Sequence, residues 1–243
     1  MYHEGVLVAQ DGKYVGPVRA RRAAPASAVR LPPGLSEASL RITATTGRQA
    51  VRVIQMFPDQ IVTGELREEA AVRDGAMASD TVRDLLKLAV IERHRGSGNI
   101  GLGFVRGFEL KRGALASTVG HDAHNLAVVG TNDADMILAA RTLAACGGGQ
   151  CAVAGGKVLA LLPLPIAGLL SDQAAPVLIA QQRALTAAAK EMGYPHGDAF
   201  MPLSFLVLPV IPKLKLTDRG LVDVGRFEVV PLKDEGVSLP DGN

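Results

Sequence analysis

The sequence predicts an α+β fold of mixed α/β layers, in which a multi-stranded sheet is combined with a few helices. Three observations lead to this class. Many short apolar runs are bounded by Gly and Asp turn signals. Two longer stretches carry apolar residues at helical spacing. Hydrophobic residues make up 48% of the 243 residues, so the chain can bury a sizeable core of Val, Leu, Ile and Ala even without Trp.

The first segment of the chain predicts one hairpin and a linker. Residues 4–15 contain Asp11-Gly12 between apolar runs, which is a hairpin signal. Residues 16–37 are rich in Pro, Ala, Arg and Ser without periodicity, as in a linker. An isolated hairpin is barely stable, so this one would complete a sheet supplied by something else. We therefore divide the chain into residues 1–37 and a main domain, 38–243.

The main domain begins with apolar runs typical of strands. A glycine-rich stretch, 96–107, argues against a regular helix and for a backbone that bends or approaches something closely. The predicted strands are residues 40–43, 51–56, 61–72, 85–92, 115–119 and 126–130.

Two helices and a hairpin follow. Asn132 is a suitable N-cap for a helix to Cys146, with Asp135 placed as in a capping box and Gly147 as the stop. Residues 151–162 predict a hairpin around Gly155-Gly156. Residues 171–192 predict a second amphipathic helix that Gly193 ends.

Composition excludes several classes of protein. The net charge is +2 and no basic stripe is interleaved with aromatics, so no nucleic-acid partner is expected. The longest apolar run, 158–170, is too short to span a membrane and contains two prolines. Cys146 and Cys151 lack the spacing of a zinc site and are interpreted as reduced thiols. With no signal peptide in view, the sequence predicts a cytoplasmic protein.

The densest group of polar residues is the stretch 116–125, which lies between two predicted buried strands. Imidazoles can shuttle protons near neutral pH, and a carboxylate can accept hydrogen bonds or fix a histidine tautomer. The same residues are also compatible with a loop that caps strand ends, because HxxH on a turn is not a specific ligand pattern. The candidate site residues are His121, Asp122, His124 and Asn125, with Ser117 and Thr118 as weaker candidates.

Three other motifs favour structural roles. Residues 92–99 predict a polar strand end that leads into a tight turn. Residues 162–172 predict an extended entry and a turn that caps the next helix. Residues 214–224 predict a turn at Thr217-Asp218 with Gly220 at positive φ. The sequence contains no nucleophile elbow, dinucleotide fingerprint, HExxH or His-x-His motif.

Taken together, these segments resemble bacterial adenine deaminase. The resemblance rests on five blocks in order, covers nearly the whole chain, and is strongest from Val53 onward. One departure is Ala123, where the family pattern usually has serine. The blocks are Glu92-Arg93-His94 with residues 98–105, residues 113–118 running into 121–125, residues 129–136, residues 164–169 and residues 214–223.

The resemblance covers only the C-terminal part of that enzyme. It implies that the hairpin at 4–15 is left over from a small β domain, and that an amidohydrolase barrel with the ligands of a manganese or iron centre is missing from this chain. It further implies hydrolysis of adenine to hypoxanthine and ammonia, with the present domain closing a purine pocket, and a homo-oligomer. The alternative is a non-catalytic module that binds a purine or another protein.

Overall fold

The computed structural model describes residues 1–17, 29–44 and 48–233. The chain begins with two small hairpins, β1 (Tyr2–His3) with β2 (Val6–Leu7) and β3 (Ala9–Gln10) with β4 (Lys13–Tyr14). The second hairpin turns at Asp11-Gly12, as the sequence predicts. Half of the predicted linker, residues 18–28, lies outside the described residues, and the division at residue 37 stays a prediction.

A ten-stranded sheet forms the centre of the main domain, in the order β14-β13-β11-β12-β9-β10-β6-β7-β8-β5. Neighbouring strands are antiparallel except for β10 and β6, which are parallel. The strands are β5 (Ile42–Thr43), β6 (Arg48–Met56), β7 (Thr63–Arg73), β8 (Ala76–Met77), β9 (Leu86–Ile91), β10 (Ile100–Arg106), β11 (Ala114–Ser117), β12 (Leu126–Gly130), β13 (Gly149–Ala154) and β14 (Lys157–Pro163).

Both faces of the sheet are covered around β9, all six residues of which are buried. Leu86, Leu88 and Val90 face one core, and Ala89 and Ile91 face the other. A strand covered on both faces is a continuous apolar run rather than an alternating one, which is why the sequence shows such a run at 85–92.

Helix α1 (Asp133–Ala145) and a short 3-10 helix (Glu37–Leu40) cover the face on which Ala89 and Ile91 lie. Helices α2 (Ala175–Met192) and α3 (Phe200–Phe205) cover the face on which Leu86, Leu88 and Val90 lie. A three-stranded antiparallel sheet, β15 (Leu214–Thr217), β16 (Gly220–Asp223) and β17 (Glu228–Val230), joins them there. The predicted α+β class is confirmed.

Asp135 explains the arrangement at the start of α1. Asn132 Oδ1 accepts the Asp135 N–H at 2.8 Å, so the predicted N-cap is confirmed. The Asp135 carboxylate accepts the N–H groups of Gly155 and Gly156 at 3.1 and 2.8 Å. The same carboxylate accepts from Asn132 Nδ2 at 2.9 Å, so one side chain contacts both the N-cap of the helix and the tip of the β13–β14 hairpin.

Three predicted boundaries were wrong or incomplete. Leu40 ends the 3-10 helix, and only Ile42–Thr43 of the predicted 40–43 strand pairs. Helix α2 begins at Ala175 rather than near Ser171, because Pro176 favours the first helical turn there. Its N-cap is Ala174, without a side-chain hydrogen bond, so the cap predicted from the turn in residues 162–172 was wrong. The six-residue helix α3 was not predicted, since six residues are too few for a helical period to show.

The C-terminal sheet is tied to β7 by contacts that span most of the chain. Thr63 Oγ1 donates to the Leu214 carbonyl at 2.8 Å, and the Thr63 carbonyl accepts the Lys213 N–H at 2.9 Å. The buried Lys215 ammonium donates to the Ile61 carbonyl at 2.9 Å. These bonds hold β15 against the middle of the large sheet.

None of the described helices is long and apolar enough to cross a membrane. Cys146 and Cys151 are free thiols. Burial raises the pKa of the Cys151 thiol, which keeps it protonated and unreactive.

The glycine-rich strand β10 contains one glycine that is required by packing. A Cβ at Gly101 would lie 1.8 Å from the Thr217 carbonyl oxygen, whereas a Cβ at Gly103 would meet only side-chain atoms at 3.4 Å or more. The predicted close approach of this stretch is therefore confirmed at Gly101.

We expect Gly101→Ala to lower the free energy of unfolding by about 3 kcal/mol, because the backbone of the β15–β16 turn must move away. Gly103→Ala, two residues along the same strand, should change it by less than about 1 kcal/mol. Urea unfolding followed by circular dichroism measures both. Equal stability of the two variants would contradict the close approach.

Candidate functional site

Polar residues gather at one edge of the large sheet, where several strands begin or end. Ile91, the last residue of β9, pairs with Ile100 on one side and Leu126 on the other. Ser117, the last residue of β11, pairs with Ala127 and Gln150. The predicted cluster, which lies between β11 and β12, is therefore placed beside the polar residues that follow β9.

Glu92 organises the turn that follows β9. Its side chain accepts the N–H groups of His94, Arg95 and Ser97 at 2.6, 2.8 and 2.9 Å. Burial raises the pKa of this carboxyl, but the three donors outweigh it and lower the pKa of Glu92 to about 2. The predicted strand end with a tight turn is confirmed, and the carboxylate is the group that holds it.

Arg93 is buried, with 2% of its surface exposed. Its Nε donates to the His124 carbonyl at 2.5 Å, and its Nη2 donates to the Ala167 carbonyl at 3.0 Å. Among the described residues, no carboxylate forms an ion pair with it. The guanidinium group of Arg93 is therefore bonded to the carbonyl groups of two separate loops, and the ionised Glu92 next to it in the chain is the anion that favours its charge.

Thr118 and Ser117 lie beneath the same two loops, and both are fully buried. Thr118 Oγ1 donates to the Gly168 carbonyl at 2.6 Å and accepts the Gly149 N–H at 2.7 Å. Ser117 Oγ contacts the backbone of Val119, accepting its N–H at 3.0 Å. Both hydroxyls are thus engaged within the fold.

His121 and His124 are half-buried on the loop itself. Their ring centroids are 6.2 Å apart, and the His121 ring stacks on Phe205 at 4.6 Å. His124 Nδ1 accepts the Gly120 N–H at 3.3 Å, which assigns the ring proton of the neutral form to Nε2. Burial, and then the neighbouring cationic groups of His121 and Arg93, lower the pKa of His124. A neutral imidazole at physiological pH follows.

Asn125 belongs to a different surface from the two histidines. Its Nδ2 donates to Asp218 at 3.2 Å, and the other oxygen of Asp218 accepts from Asn99 at 3.2 Å. Asn125 is 6% exposed, and its Oδ1 has no hydrogen-bond partner among the described residues. The adjacent Asp122 is exposed.

A cavity of about 420 Å³ lies beside Asn125. The turn after β9, the loop before β12 and the β15–β16 turn enclose it, so it is separate from the loop surface that carries His121. Its lining residues are Glu92, His94, Arg95, Ser97, Asn99, Ala123, Asn125, Asp218 and Arg219.

The sequence placed Glu92, Arg93, Asn99 and Asp218 in segments for which a structural role was favoured, so their contacts with the cluster were missed. The sequence signal for these contacts was polar residues directly after an apolar strand, which is a pattern too common to single them out. Only the strand order shows that the segments 92–99 and 214–224 meet the loop 121–125.

The cluster contains no metal centre. In the described part of the chain, no three His, Cys, Asp or Glu side chains are grouped so as to hold a metal ion. The donors present at the loop are two imidazoles, whose ring centroids are 6.2 Å apart, and an exposed carboxylate.

Comparison with known proteins defines the family. Residues 60–228 match the model of the adenine deaminase C-terminal domain, and the chain belongs to this family. It is similar to proteins named adenine deaminase from Desulfatibacillum aliphaticivorans (52% identical over 193 residues, 79% of this chain and 34% of the relative) and from Methanothrix thermoacetophila (48% over 231 residues, 94% and 40%). The chain thus spans roughly a third to two fifths of the length of these relatives and corresponds to their C-terminal part.

The ionised Glu92 carboxylate predicts a pH dependence of stability. Its folded pKa of about 2 is below the ordinary value of 4.5, so its contribution is complete above pH 4.5 and is lost as the pH falls toward 2. We expect Glu92→Gln to cost about 1–3 kcal/mol at pH 7. We also expect the variant to lose less stability than the wild type between pH 4.5 and 2.

Denaturant unfolding at several pH values measures this difference. Parallel pH profiles for the wild type and Glu92→Gln would show that the carboxylate does not hold the turn in its ionised form.

Proposed function

We propose that this chain is the C-terminal part of an adenine deaminase, which hydrolyses adenine to hypoxanthine and ammonia, and that its polar cluster closes a purine pocket. The observation that carries the proposal is the fixed imidazole pair, His121 and His124, at a sheet edge of a domain whose relatives are named adenine deaminases. The rest of the pocket lies in an amidohydrolase barrel outside this chain.

In this proposal the residues of the chain bind and orient the purine. His124, neutral and with Nδ1 engaged, offers Nε2 as the atom that donates to or takes a proton from the ring. Asp122 is the hydrogen-bonding group beside it, and His121, stacked on Phe205, excludes water from one side. Asn125, whose side chain is bonded to Asp218 on the other surface, contributes by fixing the end of the loop. Ser117 and Thr118 contribute by holding the loop in place.

The metal of the reaction, manganese or iron, is assigned to the barrel, because the described residues of this chain offer no fitting set of ligands. Such a metal supplies a hydroxide for attack on the purine and lowers the pKa of its bound water. We further propose a cytoplasmic homo-oligomer whose partners are adenine and the barrel, with no nucleic acid or membrane.

The cavity of about 420 Å³ beside Asn125 favours a second candidate function. Its volume lies within the range of small-ligand sites, and an unpartnered buried amide oxygen is adjacent to it. In this case the chain is a non-catalytic module that binds a purine, or another protein, without the barrel.

Complementation tests the first proposal. We expect the chain alone, with manganese, not to deaminate adenine. Mixed with the relative from Desulfatibacillum aliphaticivorans truncated before its matching 193 residues, it should restore ammonia release. His124→Ala should then lower kcat/KM at least about tenfold, or about 1.4 kcal/mol.

His196→Ala is the matched control, because His196 lies near Glu109, away from the cluster. It should leave the restored rate unchanged. Turnover by the chain alone would refute the division of labour. If His124→Ala leaves both the rate and the stability unchanged, the cluster is better interpreted as a loop that caps strand ends.

Calorimetric titration of the isolated chain with adenine separates the two functions. We expect no heat of binding below about 10 μM ligand if the chain forms only one wall of the pocket. A micromolar Kd for adenine would instead support the non-catalytic binding module.

A further inference from the structure

We propose that Arg93 is a positioning residue that joins the loop 120–125 to the turn 166–170, so that both present one fixed surface. Nothing in its sequence context assigned Arg93 such a role. Its importance for catalysis rests on the proposed function, whereas the joining of the two loops is a property of this chain alone.

The guanidinium group of Arg93 bonds two acceptors that belong to different segments of the chain. Arg93 donates from Nε to the His124 carbonyl at 2.5 Å and from Nη2 to the Ala167 carbonyl at 3.0 Å. The planar fork of arginine holds its donors in fixed directions on three nitrogens, whereas the three donors of an ammonium group radiate from a single nitrogen and cannot reach acceptors as far apart. The two accepting residues are 43 positions apart in the sequence, so the side chain connects segments that no local turn could connect.

Both acceptor residues have a left-handed backbone conformation. His124 and Ala167 have φ angles of +50° and +58°, in the left-handed region that residues other than glycine rarely adopt. Such conformations persist where surrounding contacts enforce them. The carbonyl of each left-handed residue is held by Arg93, so the same side chain stabilises both.

The turn 166–170 fits tightly around the guanidinium group. A Cβ at Gly168 would lie 2.8 Å from Arg93 Nη1, so the turn packs directly on the cation. Thr118 holds the next carbonyl, that of Gly168, at 2.6 Å. The turn 166–170 thus has two anchors, Arg93 and Thr118, but only Arg93 reaches His124.

Arg93 also acts on His124 through its positive charge. His124 lies among His121, His94, Asp122 and Arg93, and burial followed by the cationic neighbours lowers its pKa. Arg93 is the buried permanent cation of this group. It therefore favours the neutral form of His124 while it fixes the backbone of the same residue.

Hydrogen exchange and histidine titration by NMR on the complete 243-residue chain test the proposal. The reporters are the His124 N–H, bonded to Gly120, and the Leu170 N–H, bonded to Ile166. In Arg93→Met, exchange at both sites should be at least roughly tenfold faster, because local opening no longer breaks the bridging bonds. The titration midpoint of His124 should also rise.

Arg93→Lys keeps the positive charge but removes the planar guanidinium fork. It should keep the His124 midpoint near that of the wild type while exchange in at least one of the two loops becomes faster. This variant also carries the test if Arg93→Met does not fold.

Two controls complete the design. Thr118→Val removes the other anchor and should speed exchange at Leu170 but not at His124. Arg95→Met removes an exposed cation of the same turn and should change neither reporter.

Wild-type exchange at both reporters in Arg93→Lys would overturn the proposal, as would equal loosening of both loops by Thr118→Val. Because these measurements need no substrate or barrel, a failure of the deaminase proposal would leave them unaffected.

Discussion

Two charged residues stay buried after the central strand has ended, and the polar edge of the sheet is arranged around them. β9 is covered on both faces, and its continuation keeps Glu92 and Arg93 only 8% and 2% exposed. A buried charge is costly unless polar groups surround it. Glu92 is surrounded by the N–H groups of its own turn, and Arg93 by carbonyls of two distant loops. The conformations of the turn after β9, the histidine loop and the turn after β14 all follow from these requirements.

The buried charged residues at this edge of the sheet differ from the side chains that are accessible for chemistry. Arg93 and the ionised Glu92 are buried and hold the backbone, while the two imidazoles are half-buried and Asp122 is exposed. In the proposed function this combination matters, because the side chains that meet the barrel have to be fixed before the two domains come together. The same loop divides two surfaces, with His121 and His124 on one and Asn125 beside the cavity on the other.

Much of the fold could be predicted from the sequence, because apolar runs, Asn132 as N-cap and the glycine turns are local signals. The boundary of α2 and the short α3 were missed, since proline placement and a six-residue helix give weak local patterns. For the candidate site, the loop with His121 and His124 was proposed from residue types alone, and its role stays a prediction. The contribution of Arg93 could not be found in this way, because its partners, His124 and Ala167, are 31 and 74 positions away and are brought near only by the strand order.

The bonds between Thr63 and the Lys213–Leu214 segment close a loop of about 150 residues. Contacts this distant in sequence carry a large entropic cost before they form, and they slow folding. The β15–β16 hairpin also packs on Gly101 in the middle of the sheet. During synthesis, therefore, β10 remains without its packing partner while residues 107–220 are made, and the nascent protein exposes apolar strand surface over that interval.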